Sequence, residues 1–508
     1  MRLRTLGCIT AMTLAGALAI PIRTSAQDQQ VKHHQYKLIE VGTFGGPNSI
    51  NLSGPGSSLL RYLNHEGATV GMASTTVPDP FSPQYCWFDC YIDHALKFQN
   101  GVLTDLGALA GANSSGANGV NDWGLVIGTS ENGRTDPLTS FPEYRAVIWL
   151  GDSKPIDLGT FGGNESQAFM VNDFGQVVGV AANSIPDAYS SSSSPYGLGA
   201  YSAWFTGGGV ATQQRAFLWE GFGLRDLGTL GGDDAVAYLL NDRGQVAGVS
   251  YTNTTPNATT GFPTQDPFLW ENGRMIDLGT LGGTHGLPYW LNDEGQVVGN
   301  SYAAGDQLIR AFLWQDGVIH DLGTLGGDEA SARAINDAGE VVGTAATSGD
   351  AALHAFLWRH GVMTDLGALV GYPISSAVGV NAWTQVVGAA ESDQGAEAAF
   401  LWENGGPMVD LNTLVEPSSS GIQLIEAENI SDTGEIVALG QLASGDYRIA
   451  LLAPDGECDT ACEARVAASG SSTARQAEIA KGHNAGALSE RAGELSRAAR
   501  SVLGRPLL

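Results

Sequence analysis

The sequence has 508 residues, of which 69 are glycine, and a formal net charge of −28. Its hydrophobic content of 43% excludes global disorder, and its acidity argues against nucleic-acid binding, which needs a basic surface. Charged residues make up only 15% of the chain, which together with the glycine content predicts a protein rich in strands and turns.

Residues 1–26 have the features of a secretory signal peptide. Arg2 and Arg4 precede the apolar stretch Leu6–Ile20, and the small residues Thr24-Ser25-Ala26 follow where a signal peptidase would cut. No later segment approaches the roughly 20 consecutive apolar residues that span a bilayer. We therefore expect an exported, soluble protein without a membrane span, extracellular or periplasmic.

A repeated pattern of four strands, named a to d here, dominates residues 36–454. In the clearest copy the turn Asn336-Asp337-Ala338-Gly339 separates strands a and b, His354–Trp358 forms strand c, and Asp365-Leu366-Gly367 ends strand d. Apolar residues alternate or cluster in runs of four to six between turn residues, which is typical of strands and shows no helical period.

The a–b turn recurs as Asn-Asp-x-Gly, beginning at Asn121, Asn172, Asn241, Asn292 and Asn336. Asn and Asp bond their own backbone in turns, and glycine takes the positive φ that closes a short hairpin. A calcium loop is the alternative, but each turn has too few oxygen ligands for six- to eight-fold coordination. The pattern therefore favours a structural role, and we predict no metal site.

Strand c usually ends in tryptophan, and strand d leads into a glycine-rich loop. The tryptophans (Trp149, Trp219, Trp270, Trp314 and Trp402) keep a fixed place beside Phe, Leu or Ile, which predicts packing between neighbouring sheets instead of a sugar-binding platform. The Gly-Gly pairs, such as Gly326-Gly327, are not followed by the helix that a phosphate cradle needs. They indicate a tight passage of the backbone from one sheet to the next.

This pattern resembles the extracellular repeat of the HAF family, named for a His-Ala-Phe triplet that stands here as His354-Ala355-Phe356. The resemblance covers roughly residues 36 to 454. It departs in strand c of the first copy, Leu96-Lys97-Phe98, and of the last, Ile449-Ala450-Leu451. The family is known chiefly as predicted exported proteins without an assigned activity, so the resemblance implies a location and a fold but no reaction. The strand order also looks like that of kelch repeats.

The repeats predict an all-β, eight-bladed β-propeller over residues 27–456. The chain starts on a d strand, Tyr36–Val41, and ends on a c strand, Tyr447–Leu452. We therefore expect the N-terminal strand to pair with the C-terminal blade and close the ring. An open β-solenoid is the alternative, and it would need a cap at each end. Residues 457–508 form a tail rich in Ala and Arg, expected to be partly helical or disordered.

Four cysteines remain after the signal peptide, in two pairs of equal spacing: Cys86 and Cys90, and Cys458 and Cys462. An even number in an exported chain favours disulfides, most simply one within each pair. Cross-pairing, a zinc site and free thiols stay open, because the connectivity cannot be read from the sequence.

Length variation is concentrated in the b–c connections of blades 1 to 4, the longest running from Ala181 to Gln214. Loops on a rigid scaffold are where binding usually occurs, and aromatic side chains suit sugars or protein surfaces. A flexible filler is the equal alternative for the serine-rich part. The candidate binding residues on this face are Tyr85, Trp87, Tyr196, Tyr201 and Trp204.

The leading functional hypothesis is an exported, non-catalytic binding or scaffold propeller whose ligand is a carbohydrate or a protein. The alternatives are a polysaccharide hydrolase or lyase and a structural component of the cell surface or matrix. Several side chains break the repeat but form no recognisable catalytic set: His285, Tyr289, Trp290, Arg333 and Tyr372. We predict no catalytic residue, no cofactor, no nucleic-acid partner and a monomer.

Overall fold

The computed structural model describes residues 33–51, 61–83, 86–138, 140–151, 154–187, 189, 198, 212–258, 260–403 and 405–455. The predicted signal peptide and C-terminal tail lie outside the described residues. So do six of the residues singled out above: Tyr85, Tyr196, Tyr201, Trp204, Cys458 and Cys462. The part of the chain that the structure describes contains no helix of the length and hydropathy needed to cross a membrane.

The described chain is all β, with strands grouped in antiparallel units of four that follow the predicted order a to d. The first four units are β2 (Gly45–Ile50), β3 (Thr69–Pro78), β4 (Tyr91–Gln99), β5 (Val102–Asp105); β6 (Ser115–Val120), β7 (Leu125–Thr135), β8 (Pro142–Leu150), β9 (Ile156–Asp157); β10 (Gly162–Val171), β11 (Val177–Pro186), β12 (Thr212–Trp219), β13 (Leu224–Asp226); β14 (Ala235–Leu240), β15 (Val246–Tyr251), β16 (Gln265–Glu271), β17 (Arg274–Asp277).

The remaining strands and two short 3₁₀ helices continue the same order. They are β18 (Gly282–Leu291), β19 (Val297–Ala303), β20 (Ile309–Gln315), β21 (Val318–Asp321); β22 (Gly326–Ile335), β23 (Val341–Thr347), helix Ser348–Asp350, β24 (Leu353–Arg359), β25 (Val362–Asp365); β26 (Ile374–Val380), β27 (Val386–Glu391), β28 (Glu397–Trp402), β29 (Val409–Asp410), helix Leu411–Thr413; β30 (Gln423–Ile430), β31 (Ile436–Gln441), β32 (Tyr447–Pro454), with β1 (Tyr36–Glu40) beside β32.

These strands form six four-stranded sheets and one eight-stranded sheet, as in a β-propeller. The larger sheet consists of the units β14–β17 and β18–β21, which a single parallel bridge between Gln265 and His285 joins. Within each unit the a strand is innermost and the d strand is outermost. Because neighbouring strands are antiparallel, the a–b and c–d turns lie at one end of every unit and the b–c loops lie at the other.

The N-terminal strand belongs to the sheet of the last unit, whose order is β1-β32-β31-β30. Tyr36 lies opposite Pro454, and Glu40 opposite Ala450. A serine joins this unit to the first one. The Oγ of Ser49 accepts a bond from the Ile449 amide at 3.2 Å and donates to the Val41 carbonyl at 3.1 Å.

Equivalent bonds from other serines join consecutive units elsewhere in the molecule. Ser115 Oγ accepts from the Ala95 amide at 2.9 Å and donates to the Gly107 carbonyl at 2.8 Å. Ser166 links Ala146 to Gly159 in the same way. The contact between the last and first units therefore repeats the contact between neighbours in sequence.

The core lies between the units and confirms the structural interpretation of the strand-c aromatics. The five tryptophans quoted above are all buried, and Trp149 donates its indole N–H to the Leu106 carbonyl at 2.9 Å. A glycine on strand b leaves room for the ring of the strand-c aromatic residue that lies two positions before the tryptophan. A Cβ on Gly179 would lie 1.9 Å from the Gln167 carbonyl oxygen and 2.8 Å from the Phe217 ring, so only glycine fits there.

Seven innermost strands carry a β-bulge at the same place, three residues before the first residue of the a–b turn. A bulge leaves one residue outside the ladder and re-aims its side chain. The bulged residues are of six types, with tyrosine occurring twice: Asn118, Phe169, Tyr238, Tyr289, Arg333, Val378 and Glu428. The fold therefore has one equivalent position whose side chain varies between units.

The first unit departs from the short a–b turn of the other copies, because residues 51–68 separate β2 from β3. Residues 61–63 act as the inner end of its a strand. The Arg61 carbonyl accepts from the Val120 amide at 3.1 Å, and the Tyr62 carbonyl from the Val70 amide at 3.0 Å. The turn that follows, Asn64-His65-Glu66-Gly67, has histidine where most copies have aspartate.

Candidate functional site

The first asparagine of each a–b turn bonds both its own turn and the turn of the next unit. Asn121 Oδ1 accepts from the Leu125 amide at 2.9 Å, while Asn121 Nδ2 donates to the Asn172 carbonyl at 3.0 Å. Equivalent inter-unit bonds run from Asn64, Asn172, Asn241, Asn292, Asn336 and Asn381, the last reaching Ser431. An amide side chain accepts on its oxygen and donates from its nitrogen, so one asparagine bonds two turns at once, which explains the repeated asparagine.

The residue after the asparagine is aspartate in five turns, and the last unit has Ser431-Asp432 at the same place. We call these six residues the aspartate ring. Each carboxylate accepts a backbone N–H of the preceding unit's turn at 2.8 to 3.0 Å: Asp122, Asp173, Asp242, Asp293, Asp337 and Asp432. His65 and Ala382 take this position in the other two turns. The bonds hold six carboxylates at one end of the molecule.

A cavity of about 320 Å³ opens where these turns meet the ends of the innermost strands; we call it the turn cavity. Five ring aspartates line it, together with Arg61, His65 and Trp290. Lining residues come from seven of the four-stranded units. Residues that are far apart in the sequence therefore converge on one concave site.

Arg61 and His65 bring positive charge to one side of the turn cavity. The Arg61 guanidinium lies 3.5 Å from Asp173 and 3.7 Å from Asp122, and His65 Nδ1 lies 2.8 Å from Asp122. Burial lowers the pKa of Arg61, but the carboxylates of Asp173 and Asp122 outweigh it and raise that pKa above its ordinary value. The hydrogen bond to Asp122 likewise raises the pKa of His65.

The pKa values of the ring aspartates depend on how close each carboxylate lies to Arg61 and His65. Burial alone would raise the pKa of Asp122, but the bond from His65 lowers it to about 2. Burial and the charge of Asp173 raise the pKa of Asp242 to about 6. No Lys, Arg or His nitrogen of the described chain lies within 4.0 Å of the carboxylates of Asp293, Asp337 or Asp432, although Asp293 interacts electrostatically with Arg61 and Asp432 with His65. The close ion pairs of the aspartate ring are therefore those of Asp122 and Asp173.

The bulged residues form contacts between neighbouring units beneath the aspartate ring. Arg333 lies over the Tyr289 ring at 4.4 Å, and Phe169 and Tyr238 have ring centroids 5.4 Å apart. Two polar bulged residues are 1% and 8% exposed and each has an oxygen without a hydrogen-bond partner: Asn118 Oδ1 and Glu428 Oε2. Burial and the nearby Glu426 raise the pKa of Glu428 well above its usual value.

The structure brings together some of the side chains that break the repeat and separates others. Tyr289 and Arg333 are in contact, and Trp290 lines the turn cavity. His285 is buried at the opposite end of its strand, where it packs edge-on against Tyr302 at 5.7 Å. Burial lowers the pKa of His285 to about 4, so this imidazole is neutral near pH 7.

On the face of the b–c loops, Trp87 is 6% exposed and its ring lies 5.7 Å from that of Tyr144. Trp87 therefore packs within the first two units. The Cys86–Cys90 disulfide flanks it. Exposed apolar side chains stand on three of the long connections or the strands that lead into them: Val77, Phe88, Leu138 and Ile185.

Buried carboxyl groups lie below these loops. Burial raises the pKa of Asp93 and of Glu131 to about 7, and that of Glu165 to about 8. Asp79, Asp93 and Glu131 each have one carboxylate oxygen without a hydrogen bond. Within the described residues, however, no group of three His, Cys, Asp or Glu side chains is arranged to hold a metal ion.

Sequence reasoning missed Arg61 and His65, and with them the turn cavity. The available signal was the first a–b turn, which has histidine in place of aspartate and follows an insertion within its a strand. The aspartates themselves were found but were assigned a role only within their own turns. Their convergence depends on how the units are arranged around one another, which the local pattern does not describe.

No family model matches the chain, and no curated protein matches it. Among solved structures, the chain is similar to the β-propeller domain of the Trilobed protease from Pyrococcus furiosus, with 10% identity, a TM-score of 0.40 and coverage of 69% of this chain and 97% of that one. It is also similar to TolB from Acinetobacter baumannii, with 11% identity, a TM-score of 0.31 and coverage of 66% and 81%. A puromycin-hydrolysing peptidase of Mycobacterium tuberculosis shows 13% identity, a TM-score of 0.40 and coverage of 82% and 64%.

Proposed function

We propose that the protein is an exported, non-catalytic binding protein, built as a closed eight-bladed propeller of HAF-type repeats, whose ligand enters the turn cavity. The antiparallel pairing of β1 with β32 and the Ser49 bonds between the last and first units support a closed ring. The signal-like N-terminus and the Cys86–Cys90 disulfide support export.

The observation that carries the proposal is the convergence of chemically different side chains on one concave site. Five aspartates, Arg61, His65 and Trp290 line a cavity of about 320 Å³, a volume at the lower end of those that hold small ligands. A cavity of this size accepts one residue of a protein or one sugar unit. A ligand that presents such a group at a chain end or a loop tip fits it best.

We also propose the b–c loop face of the first four units as a second contact surface, for a protein partner. Val77, Phe88, Leu138 and Ile185 are exposed there, and loops carried on a rigid scaffold are where binding usually occurs. Trp87 contributes by supporting the loop from below. Tyr196, Tyr201 and Trp204 stay candidates for direct contact.

Arrays of glycans and peptides, probed with the mature protein, test the site. Ala382 lines the turn cavity at a ring position and is exposed, so Ala382→Trp would fill the cavity without disturbing the core. Ala351 is exposed at the opposite end, and Ala351→Trp is the matched control. We expect Ala382→Trp to lose the array ligand and Ala351→Trp to keep it. Undiminished binding by Ala382→Trp would place the site elsewhere.

A further inference from the structure

We propose that the Cys86–Cys90 disulfide is a redox-controlled staple, which shapes a loop that fastens the last unit to the first and whose reduction loosens that contact. We call the contact between the last and first units the seam, and residues 86–90 the cystine loop. The inference rests on the proposed function, because it adds a condition under which the proposed ring closes. It also gives a role to a disulfide that takes no part in the turn cavity.

The disulfide fixes the shape of the cystine loop, which lies in the b–c connection of the first unit. It links two cysteines only four positions apart. Cys90 has a φ of 63°, a left-handed conformation that residues other than glycine adopt at a cost. The Cys90 carbonyl accepts a hydrogen bond from the Asp79 amide at 2.9 Å, which ties the loop to the end of β3. The bond to Cys86 therefore helps to hold a backbone that is unfavourable by itself.

Trp87 carries the cystine loop into the second unit. Its ring lies 5.7 Å from that of Tyr144 in β8. Both residues belong to a buried cluster that also contains Ile50 of the first unit and Ile425 and Leu439 of the last unit. Aromatic rings of this size provide much of the apolar area that such a contact buries. This cluster therefore joins three units, and Trp87 is its contribution from the cystine loop.

The next two residues of the cystine loop reach β32 of the last unit. The ring of Phe88 packs edge-on against Tyr447, with the centroids 5.9 Å apart. Asp89 Oδ2 accepts from Asn48 Nδ2 at 2.7 Å and from Ser74 Oγ at 2.6 Å. Asn48 Oδ1 in turn accepts from the Tyr447 amide at 2.7 Å. A charged acceptor strengthens such bonds, so one short loop holds the last, first and second units together.

The seam is where a staple has a distinct effect, because the two ends of the chain meet there. β1 pairs with β32, and these strands can part without any cut in the chain, as in a local opening of the folded state. The first unit follows β1 directly, and its cystine loop contacts β32. The loop therefore opposes the separation of β32 from β1 and the first unit.

Oxidation controls whether this loop is fixed. The two thiols form the disulfide by passing two electrons and two protons to an oxidised dithiol, whose own disulfide becomes two thiols in exchange. A reduced dithiol reverses the step and returns Cys86 and Cys90 to thiols. Oxidising compartments outside the cytosol favour the disulfide, so in an exported protein the staple sets after export.

Hydrogen exchange of the mature protein, followed by mass spectrometry, tests the staple by comparing the oxidised wild type with Cys86→Ala with Cys90→Ala. Removing a cross-link across a loop this short favours opening by about thirtyfold. We expect amides of β1 and β32 to exchange faster by that factor, and those of β19 in the fifth unit to be unchanged. Cys458→Ala with Cys462→Ala is the matched control and should exchange like the wild type.

A second variant leaves the disulfide in place. Phe88→Ala removes the ring contact with Tyr447, and because Phe88 is 41% exposed, the core is undisturbed. We expect the amides of β32 to exchange about threefold faster. Phe222 is 87% exposed at the opposite end of the molecule, so Phe222→Ala is the matched control and should cause no change. Phe88→Ala decides the matter should the cysteine variant fold poorly.

Unchanged exchange of β32 in the cysteine variant would overturn the inference. So would an equal acceleration of β19 and β32, because the disulfide would then stabilise the whole fold and not the seam. Both results leave the closed ring standing as long as β1 and β32 are protected in the oxidised wild type. Rapid exchange of β1 and β32 in the oxidised wild type would overturn the closed ring, and the staple with it.

Discussion

Replacing Glu165 with glutamine should make the protein less sensitive to alkaline pH. Glu165 is 7% exposed at the start of β10 and bonds the side chain of Asp136. Asp136 Oδ1 also accepts from Asn164 Nδ2 and from the Leu138 amide, each at 2.8 Å. Two carboxyl groups in contact share one proton, so Glu165 must stay protonated to donate to Asp136.

The size of this stability change follows from the rise in the pKa of Glu165 on folding. Burial, with the bond and charge of Asp136, raises the pKa of Glu165 from 4.5 to about 8, although Arg145 opposes the rise. Below pH 4.5, the ordinary pKa of this group, Glu165 is protonated in both the folded and the unfolded protein, and its stabilising effect is fully present. As the pH rises to about 8, only the unfolded carboxyl ionises, so the free energy of unfolding falls. The full loss is on the order of 5 kcal/mol, at about 1.4 kcal/mol for each tenfold change in proton affinity.

Glutamine donates an N–H to Asp136 without titrating. We expect Glu165→Gln and the wild type to unfold alike in urea near about pH 4, and the variant to be more stable by a few kcal/mol near about pH 9. Glu329 has the equivalent position in β22 but is exposed, so Glu329→Gln is the matched control and should show no such difference. A gap between Glu165→Gln and the wild type that stays constant across this pH range would refute the shared proton.

Three further predictions concern the ring closure, the turns and the cysteines. Deleting residues 27–44 removes β1 and exposes the edge of β32, so the truncated protein should aggregate or lose cooperative melting; unchanged melting would contradict a closed ring. Asn241→Ala removes the bonds to the Asn292 carbonyl and within its own turn, and should lower the free energy of unfolding by about 2–4 kcal/mol in urea titration. Intact mass should rise by four hydrogens on reduction, two from Cys86–Cys90 and two from Cys458–Cys462; alkylation of all four cysteines without reductant would disprove this.

The loop face has its own test, which depends on a ligand from the arrays. In the structure, β11 ends at Pro186 and β12 begins at Thr212, so an exchange of Ala181–Gln214 replaces the outer ends of both strands together with the connection. Replacing Ala181–Gln214 with the short turn Thr344–Asp350 should leave melting nearly unchanged and abolish binding to that surface. Binding that survives this exchange, and also survives Trp87→Ala with Trp204→Ala, would remove the loop face from the proposal.

Local features of the sequence were enough to predict the four-strand units, their turns and the buried strand-c tryptophans. Each of these depends on a few neighbouring residues: alternation marks a strand, Asn-Asp-x-Gly closes a hairpin, and a fixed Phe-Leu-Trp marks a core strand. The disulfide between Cys86 and Cys90 was predicted as the simplest pairing and is present. These features can be read from the sequence because each depends on bonding within one unit and not on how the units pack against one another.

Only the tertiary structure showed which distant residues meet. Arg61 and Asp173 are separated by more than two repeats, yet lie 3.5 Å apart, because the inner ends of all the a strands converge. Trp87 looked like a surface aromatic in a loop but packs against Tyr144 of the next unit. The repeat determines the shape of each unit through local bonding, whereas the site is built from the positions where the repeat differs, and those are brought together only when the units are packed side by side.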